Sequence, residues 1–482
     1  DFLKAKIEIV KKKEEFIPTY YLRVSGLKKG SELLIQEIKE SLISEIPVKE
    51  FTDVESFEKL KNEIFKKSKE KLKEIDKSLN EKELNYLANI LVIDVLGLGL
   101  LEFLLNDPNL EEIVVNNSKE CVKVYHRKYG WLNTNIYLKN ENAIQNIASV
   151  IARRSGRQIN VLNPLLDAQL HTGDRVNATL YPISSFGNTI TIRKFRRIPW
   201  TIIDFIKSNT LSLEVSSFLW QAVQYELNMI VVGGTASGKT SLLNVILNFI
   251  PPNQRIVSIE DTRELNLANF MHWVPLVTRP PNPEGKGEVR MLDLLVNSLR
   301  MRPDRIVVGE IRRAEEAEVL FEAMHTGHSV YATFHAETAE QAYRRFTNPP
   351  INVPETLMES LHLFTVMFRE RRRGIRRLLE ICEIVPFIQS KVNALYRWDA
   401  KSDTIIKSNE SLRIKYELEM FTGLTPKELD QDLEEKKEVL NWLLKNNVNG
   451  IENLGKIFAE YYFNKDEIVE AAKKNKNPFE FI

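Results

Sequence analysis

Only two cysteines, Cys121 and Cys382, occur in 482 residues, and they stand far apart. That excludes a disulfide-stapled scaffold and a cysteine-rich zinc module, and it suits a reducing compartment. Net charge is equally scarce. Sixty-seven Lys and Arg against 66 Asp and Glu leave +1, so no global field draws the chain to nucleic acid or acidic lipid, and local patches must carry any such preference. Long apolar runs are missing too. The nearest approach to a membrane span, Tyr86 to Leu105, contains Asn89, Asp94 and Glu102 plus Gly97 and Gly99, each awkward in hydrocarbon. It reads as a buried helix and turn. The opening Asp1-Phe2-Leu3-Lys4 lacks the basic region and apolar core of a signal peptide. The expected location is cytoplasmic, or peripheral on the inner face of the cell membrane.

What is present is a globular balance of 43% hydrophobic and 28% charged residues, in a chain too long for one ordinary core, so two or three domains are expected. Residues 1–82 are Lys/Glu-rich with helical spacing at Phe57, Leu60, Ile64 and Phe65, and predict a helical subdomain. Residues 83–198 predict a small α/β domain. Within it Glu112–Asn116 and Cys121–Tyr125 read as strands, and Asn142–Arg154 reads as a helix presenting Ile144, Ile147, Ala148 and Ile151 on one face. Pro199-Trp200 opens a linker, 199–208. From 209 to 386 short apolar runs at Met229–Val232, Ile256–Ile259, Ile306–Val308 and Val330–Phe334 alternate with helical stretches, the pattern of a parallel sheet wrapped by helices. Residues 387–482 read as mainly helical, with a helix start at Thr425-Pro426-Lys427-Glu428 that combines N-cap Thr, Pro at the first position and Glu at the third.

Chemistry concentrates in the third segment. Gly233-Gly234-Thr235-Ala236-Ser237-Gly238-Lys239-Thr240 fits G-x-x-x-x-G-K-[ST] in full, between a predicted strand and a predicted helix. Glycines there let backbone N–H groups turn inward around phosphates, assisted by the helix N-terminus. Lys239 is expected to reach the β and γ phosphates of ATP, and the Thr240 hydroxyl to ligate Mg²⁺. The strand Ile306–Val308 runs into Gly309-Glu310, about 70 residues beyond Lys239, and Glu310 is a candidate to hold Mg²⁺ through water. Between them, Glu260-Asp261-Thr262-Arg263-Glu264 clusters acids at a strand end. Ligands bind at the carboxyl ends of parallel strands, so Glu260 could orient the attacking water; a solvated loop or helix N-terminus would favour the same acids. His325, His328 and His335 lie within eleven residues. No Cys or carboxylate completes a metal set at the usual spacing, and a single imidazole meeting the γ-phosphate is the more economical reading.

These elements, in this order, resemble the secretion ATPase superfamily of type II secretion, type IV pili and archaella. Ile259-Glu260-Asp261-Thr262-Arg263-Glu264-Leu265 resembles its Asp box, Arg302–Arg312 its Walker B motif, and Met324–His335 its His box. Gly173-Asp174-Arg175-Val176-Asn177-Ala178 and Thr189-Ile190-Thr191-Ile192-Arg193-Lys194-Phe195 resemble the small α/β domain, where the resemblance implies that Arg175 and Arg193 reach the γ-phosphate. Asn348–Ile351 through Arg377, and the helix after Thr425, look most like the archaellum motor ATPase. The bacterial type II enzyme's four-cysteine zinc module is absent, so no structural metal is expected.

The resemblance implies a RecA-like core preceded by its α/β domain, assembled as a homo-hexamer. Its implied partners are a polytopic membrane platform protein and other cytoplasmic filament-assembly proteins, and ATP turnover would extrude or turn a filament. Arg369, Arg371, Arg372, Arg373, Arg376 and Arg377 form a run suited to phosphates, a subunit interface or an anionic lipid surface. The main rival is a RecA-like nucleic-acid motor. Near-zero net charge and the lack of any DNA-reading module argue against it, and no nucleic acid is expected as partner. A second rival, a scaffold that binds ATP without hydrolysing it, is disfavoured by the presence of both Glu260 and Glu310.

Overall fold

The computed structural model describes residues 5–11, 15–24, 38, 41–42, 54–96, 98–170, 172–195, 199–282 and 284–482. Two compact units divide the chain, Asp1–Arg197 and Ile198–Ile482. The first holds an eight-stranded sheet of β1 (Ala5–Val10), β2 (Thr19–Val24), β3 (Leu110–Val115), β4 (Lys123–His126), β5 (Gly130–Thr134), β6 (Leu165–Gln169), β7 (Arg175–Thr179) and β8 (Thr189–Arg193). Its order is β1-β2-β5-β4-β3-β8-β7-β6, and every pairing is antiparallel except β2 with β5. Strand alternation puts Ile113, Val115, Val176, Ala178, Ile190 and Ile192 in one core. The helix Glu141–Arg154 covers it with Ile144, Ala148, Ile151 and Ala152, starting where the Asn140 side chain accepts from the Ala143 amide. A separate apolar cluster joins the helices Val54–Ile75 and Glu81–Leu96 through Ile64, Leu72, Leu84 and Leu91.

The second unit is built on nine strands: β9 (Met229–Gly233), β10 (Ile256–Glu260), β11 (Trp273–Val277), β12 (Arg305–Val308), β13 (Ser329–Phe334), β14 (Leu363–Glu370), β15 (Ile375–Ile384), β16 (Val392–Asp399) and β17 (Thr404–Lys407). In the order β11-β10-β12-β13-β9-β14-β15-β16-β17, the run from β11 to β14 is parallel and the rest is antiparallel. The central strands β9, β10, β12 and β13 are mostly apolar and buried at every position because both faces are covered. Along β9, Met229 and Val231 enter one core and Ile230 and Val232 the other; on β12, Val307 and its neighbours Ile306 and Val308 divide the same way. The first of these cores also takes Val439, Leu440, Trp442 and Leu443 from the helix Pro426–Lys445 and Phe458 from Ile451–Phe463. Thr425 and Glu428 form the capping box at the start of the former.

Three readings need correction. The stretch 199–208 is not a linker throughout, since Ile202–Lys207 is a helix whose Ile202, Ile203, Phe205 and Ile206 are buried in the second unit's core. The start of 1–82 is not helical where it is described. Ala5–Val10 and Thr19–Val24 pair in register from Ala5↔Val24 to Val10↔Thr19; Lys6-Ile7-Glu8-Ile9 alternates with period two, and the β-branched Ile7, Ile9 and Val10 favour a strand. Tyr20 is fully buried and donates to Asp107 Oδ2 at 2.8 Å, so β2 belongs to the small domain's sheet; the rest of 1–53 lies largely outside the described residues. Nor does the core sheet stop at 386. Val392–Asp399 and Thr404–Lys407 extend it at the edge, and helices resume at Ile414. The Tyr86–Leu105 stretch is a helix to Leu96, then a turn and the short helix Leu101–Asn106. Among the described residues no helix is long and apolar enough to cross a membrane.

Candidate functional site

Neighbouring parallel strands end along one edge of the second sheet, and the predicted residues arrive there. β9 ends in Gly233, and the loop turns into the helix Lys239–Leu247. Glu260 is the last residue of β10, Glu310 follows β12 after Gly309, and His335 follows β13. Pairing continues past the strand ends, with Gly309 N–H donating to Ile259 O at 2.8 Å and Ile311 N–H to Thr333 O at 3.0 Å. A Cβ on Gly309 would lie 3.4 Å from the Cα and Cγ of Glu260, an ordinary contact distance, so the two acidic segments run side by side.

The loop Gly233–Thr240 has the geometry its glycines imply. A Cβ on Gly233 would collide with Ser237 Oγ and with the Met367 carbonyl oxygen at 2.6 Å. Gly238 takes φ +99° and Ala236 +58°, the left-handed turns that rotate amides inward. Lys239 Nζ donates to Gly234 O at 3.1 Å. Burial lowers the Lys239 pKa, and the carboxylates of Glu310 and Glu264 oppose that shift. His335 Nε2 lies 3.1 Å from Thr235 Oγ1, which joins β13 to the loop.

The two carboxylates differ in surroundings. Glu260 is 2% exposed; its Oε1 accepts from the Glu264 and Leu265 amides at 2.8 and 3.1 Å. Its Oε2 is buried without a hydrogen-bond partner among the described residues. Burial pushes its pKa up to about 7, against those two amide bonds. Glu310 is half-buried and accepts from Arg312 Nε at 2.8 Å, while Arg312 also bonds Asp261. The crowded Gly233 and the unpartnered Glu260 oxygen are what a phosphate cradle with a cation or water beside it requires. Thr240 and Glu310 are the residues suited to Mg²⁺, an ion that keeps waters and substrate oxygens and does not demand an all-protein cage.

The three clustered histidines do not converge. His325 meets Ser360 Oγ and His328 meets Ala323 O, so only His335 reaches the loop. No group of three or more His, Cys, Asp or Glu side chains is placed to hold a metal among the described residues. In the first unit, Arg175 and Arg193 are direct cross-strand partners on β7 and β8, and Glu112 on β3 is the next partner of Arg193. Their loops are clamped together. The buried Asp174 accepts from the Phe195 amide at 2.7 Å, and Gly173 at φ +89° leaves room for the Phe195 ring, 3.0 Å from where its Cβ would stand.

Sequence reasoning misses the placement of four arginines. Arg312 links Glu310 to Asp261; its position two residues after Glu310 was the available signal. Arg345 bonds the His335 carbonyl and lies over the Phe334 ring, and nothing in the sequence pointed to it. Arg376 and Arg377, read as part of a surface run, turn inward instead. Arg376 Nε donates to Ala236 O of the loop at 3.1 Å, and Arg377 makes a two-pronged pair with Asp403 at 2.7 and 2.8 Å. Arg373 pairs with Glu370, and Arg371 and Arg372 are exposed at the turn.

Fold and site together define a phosphate-loop protein with a RecA-like α/β core. The family described as "Type II/IV secretion system protein" matches residues 97–401, and the chain belongs to it. It is similar to the uncharacterized protein MJ0900 of Methanocaldococcus jannaschii, with 36% identity over 365 residues, 74% of this chain and 66% of that protein. MJ0781 of the same organism is 47% identical over 248 residues, 50% of this chain and 34% of that protein. This chain thus spans less than two thirds of the length of either. The type IV secretion system protein PtlH of Bordetella pertussis is 31% identical over 307 residues, 57% of this chain and 89% of that protein.

Proposed function

We propose that the chain is a Mg²⁺-dependent ATPase whose turnover powers assembly or rotation of an archaellum-like filament from the inner face of the membrane. The observation that carries the ATPase reading is the meeting of the Gly233–Thr240 loop, Glu260, Glu310 and His335 at one edge of the sheet. Membership of the type II/IV secretion family supports the mechanical output, and the resemblance of the segment from Asn348 to Arg377 supports an archaellum. On this reading the working form is a homo-hexamer docked on a polytopic membrane protein.

Lys239 and the loop amides bind the phosphates. Thr240 and Glu310 would hold Mg²⁺, which when bound neutralises charge that develops on the transferring phosphoryl group. Glu260, once ionised, accepts a proton from the attacking water and orients it through Oε2. His335, fixed against Thr235, faces the γ-phosphate side. Arg175 and Arg193 are assigned the remaining γ-phosphate charge, delivered by their own or a neighbouring subunit. Titration with a fluorescent ATP analogue tests the reading. Saturable binding by the parent and strongly weakened binding by Lys239→Ala are expected; equal affinity in the two would overturn it.

A further inference from the structure

We propose that Arg376 is a positioning residue for nucleotide binding, holding the phosphate loop in its phosphate-accepting shape by tying the Ala236 carbonyl to β15. The inference rests on the reading of Gly233–Thr240 as a nucleotide loop.

Ala236 is the strained point of that loop. Its φ of +58° is a conformation that a residue with a Cβ adopts only at a penalty, so something must hold it. Its carbonyl is the group held: Arg376 Nε donates to Ala236 O at 3.1 Å. Two residues earlier, Gly234 O accepts from Lys239 Nζ at 3.1 Å and from Ser237 Oγ at 2.9 Å. A peptide's carbonyl and N–H point in opposite directions, so tying the Ala236 carbonyl to β15 helps turn the amide that follows it away from that strand and toward an anion in the loop. The aliphatic part of Arg376 also backs the loop, since a Cβ on Gly238 would lie 3.5 Å from Arg376 Cδ and from Met367 Cε.

Arg376 is itself firmly seated. Its carbonyl accepts from Thr210 Oγ1 at 3.2 Å and from Arg377 Nη1 at 2.9 Å. Arg377 is 7% exposed, donates to Ser208 O at 3.0 Å, and is fixed by the two-pronged bond to Asp403. Leu378 N–H donates to Thr210 O at 3.1 Å. The strand that grips the loop is therefore bonded to Ser208–Thr210, at the end of the helix Ile202–Lys207.

A residue that shapes the cradle affects every ligand whose phosphates lie in it. Arg376→Ala should therefore weaken ADP and ATP by similar factors, roughly 10- to 100-fold for loss of a charged hydrogen bond. The change should appear as a raised KM with kcat nearly kept, because ground state and transition state lose the same binding. Arg376→Lys keeps charge and stem without the planar donor and should recover part of the affinity. The experiment is calorimetric titration of ADP and a non-hydrolysable ATP analogue into parent, Arg376→Ala and Arg376→Lys, with thermal melts and steady-state kinetics alongside. Parent that binds neither nucleotide would bring down the ATP reading and this inference together. With a binding parent, unchanged ADP affinity in both variants would overturn the inference alone. A fall in kcat at unchanged ADP affinity would also overturn it, since it would make Arg376 a transition-state contact. Should Arg376→Ala not fold, the ADP affinity of Arg376→Lys decides, and equality with the parent counts against the inference.

Discussion

In the second unit, charged side chains reach one edge because neighbouring parallel strands all finish there. In the first, Arg175 and Arg193 meet because antiparallel register sets them opposite each other. The parallel arrangement delivers each residue on its own loop, so Glu260, Glu310 and His335 acquire individual surroundings: a desolvated carboxylate, an arginine-bound one and an imidazole on the phosphate loop. The antiparallel arrangement delivers a pair of like charges whose spacing is set by the backbone and whose loops are locked by Asp174 and Gly173. Proton chemistry belongs in the first kind of setting, where surroundings can be tuned one residue at a time. On the proposed reading, a charge clamp belongs in the second.

The comparison can be broken by removing either arrangement. Replacing both Arg175 and Arg193 with Ala should lower kcat by about 10³-fold, the lower end for cations at a transferring phosphoryl group, with ATP affinity much less changed. Steady-state kinetics beside equilibrium binding measures the split, and a pure loss of affinity would assign the pair to substrate binding. Glu260→Gln should lower kcat by about 10²-fold or more, as expected for loss of a general base, while leaving nucleotide bound.

The Glu260 carboxyl sharpens the contrast further through pH. Its folded pKa of about 7 stands above the ordinary 4.5 because of burial, so the folded chain holds that proton more tightly than the unfolded one. Its contribution to stability is present below 4.5 and lost as pH rises toward 7. Activity runs the other way, because only the ionised carboxylate accepts a proton, and should climb through pH 7. Chemical denaturation and turnover, each followed from pH 5 to pH 8 in parent and Glu260→Gln, should show opposite slopes that the substitution flattens. Parallel slopes would show that another group governs the profile. The smallest effect is expected at the clamp: Asp174→Ala should destabilise the first unit by about 2 kcal/mol, the value of a buried hydrogen bond to a charged group. Thermal unfolding measures it, and an unchanged melt would leave the loop pair held by the Phe195 packing alone.

The site on the parallel sheet was legible in the sequence because each of its strands is a short apolar run ending at a turn, and chemistry sits at those ends. Gly233, Lys239, Glu260, Glu310 and His335 could all be located that way. Local pattern says nothing of which strands become neighbours, so the contact of Arg376 with Ala236, 140 residues away, had no signature, and the arginine run looked like surface. β1 and β2 were missed for a related reason. The Lys and Glu residues of β1 and of the helical stretch beyond it suggest a solvated helix, while the alternation of Lys6-Ile7-Glu8-Ile9 is the better guide once paired with Thr19–Val24. The motifs around Asp174 and Phe195 showed where the first unit's arginines lie, but that a buried carboxylate joins them depends on a turn closing over β8.

The most direct test of the nucleotide site is phosphate release from ATP by the full chain, measured as Mg²⁺ is titrated, beside Lys239→Ala at matched protein concentration. Release that depends on Mg²⁺ and falls by about 10³-fold or more in the variant is the expected result. Release that is equal in parent and variant, or indifferent to Mg²⁺, would contradict it.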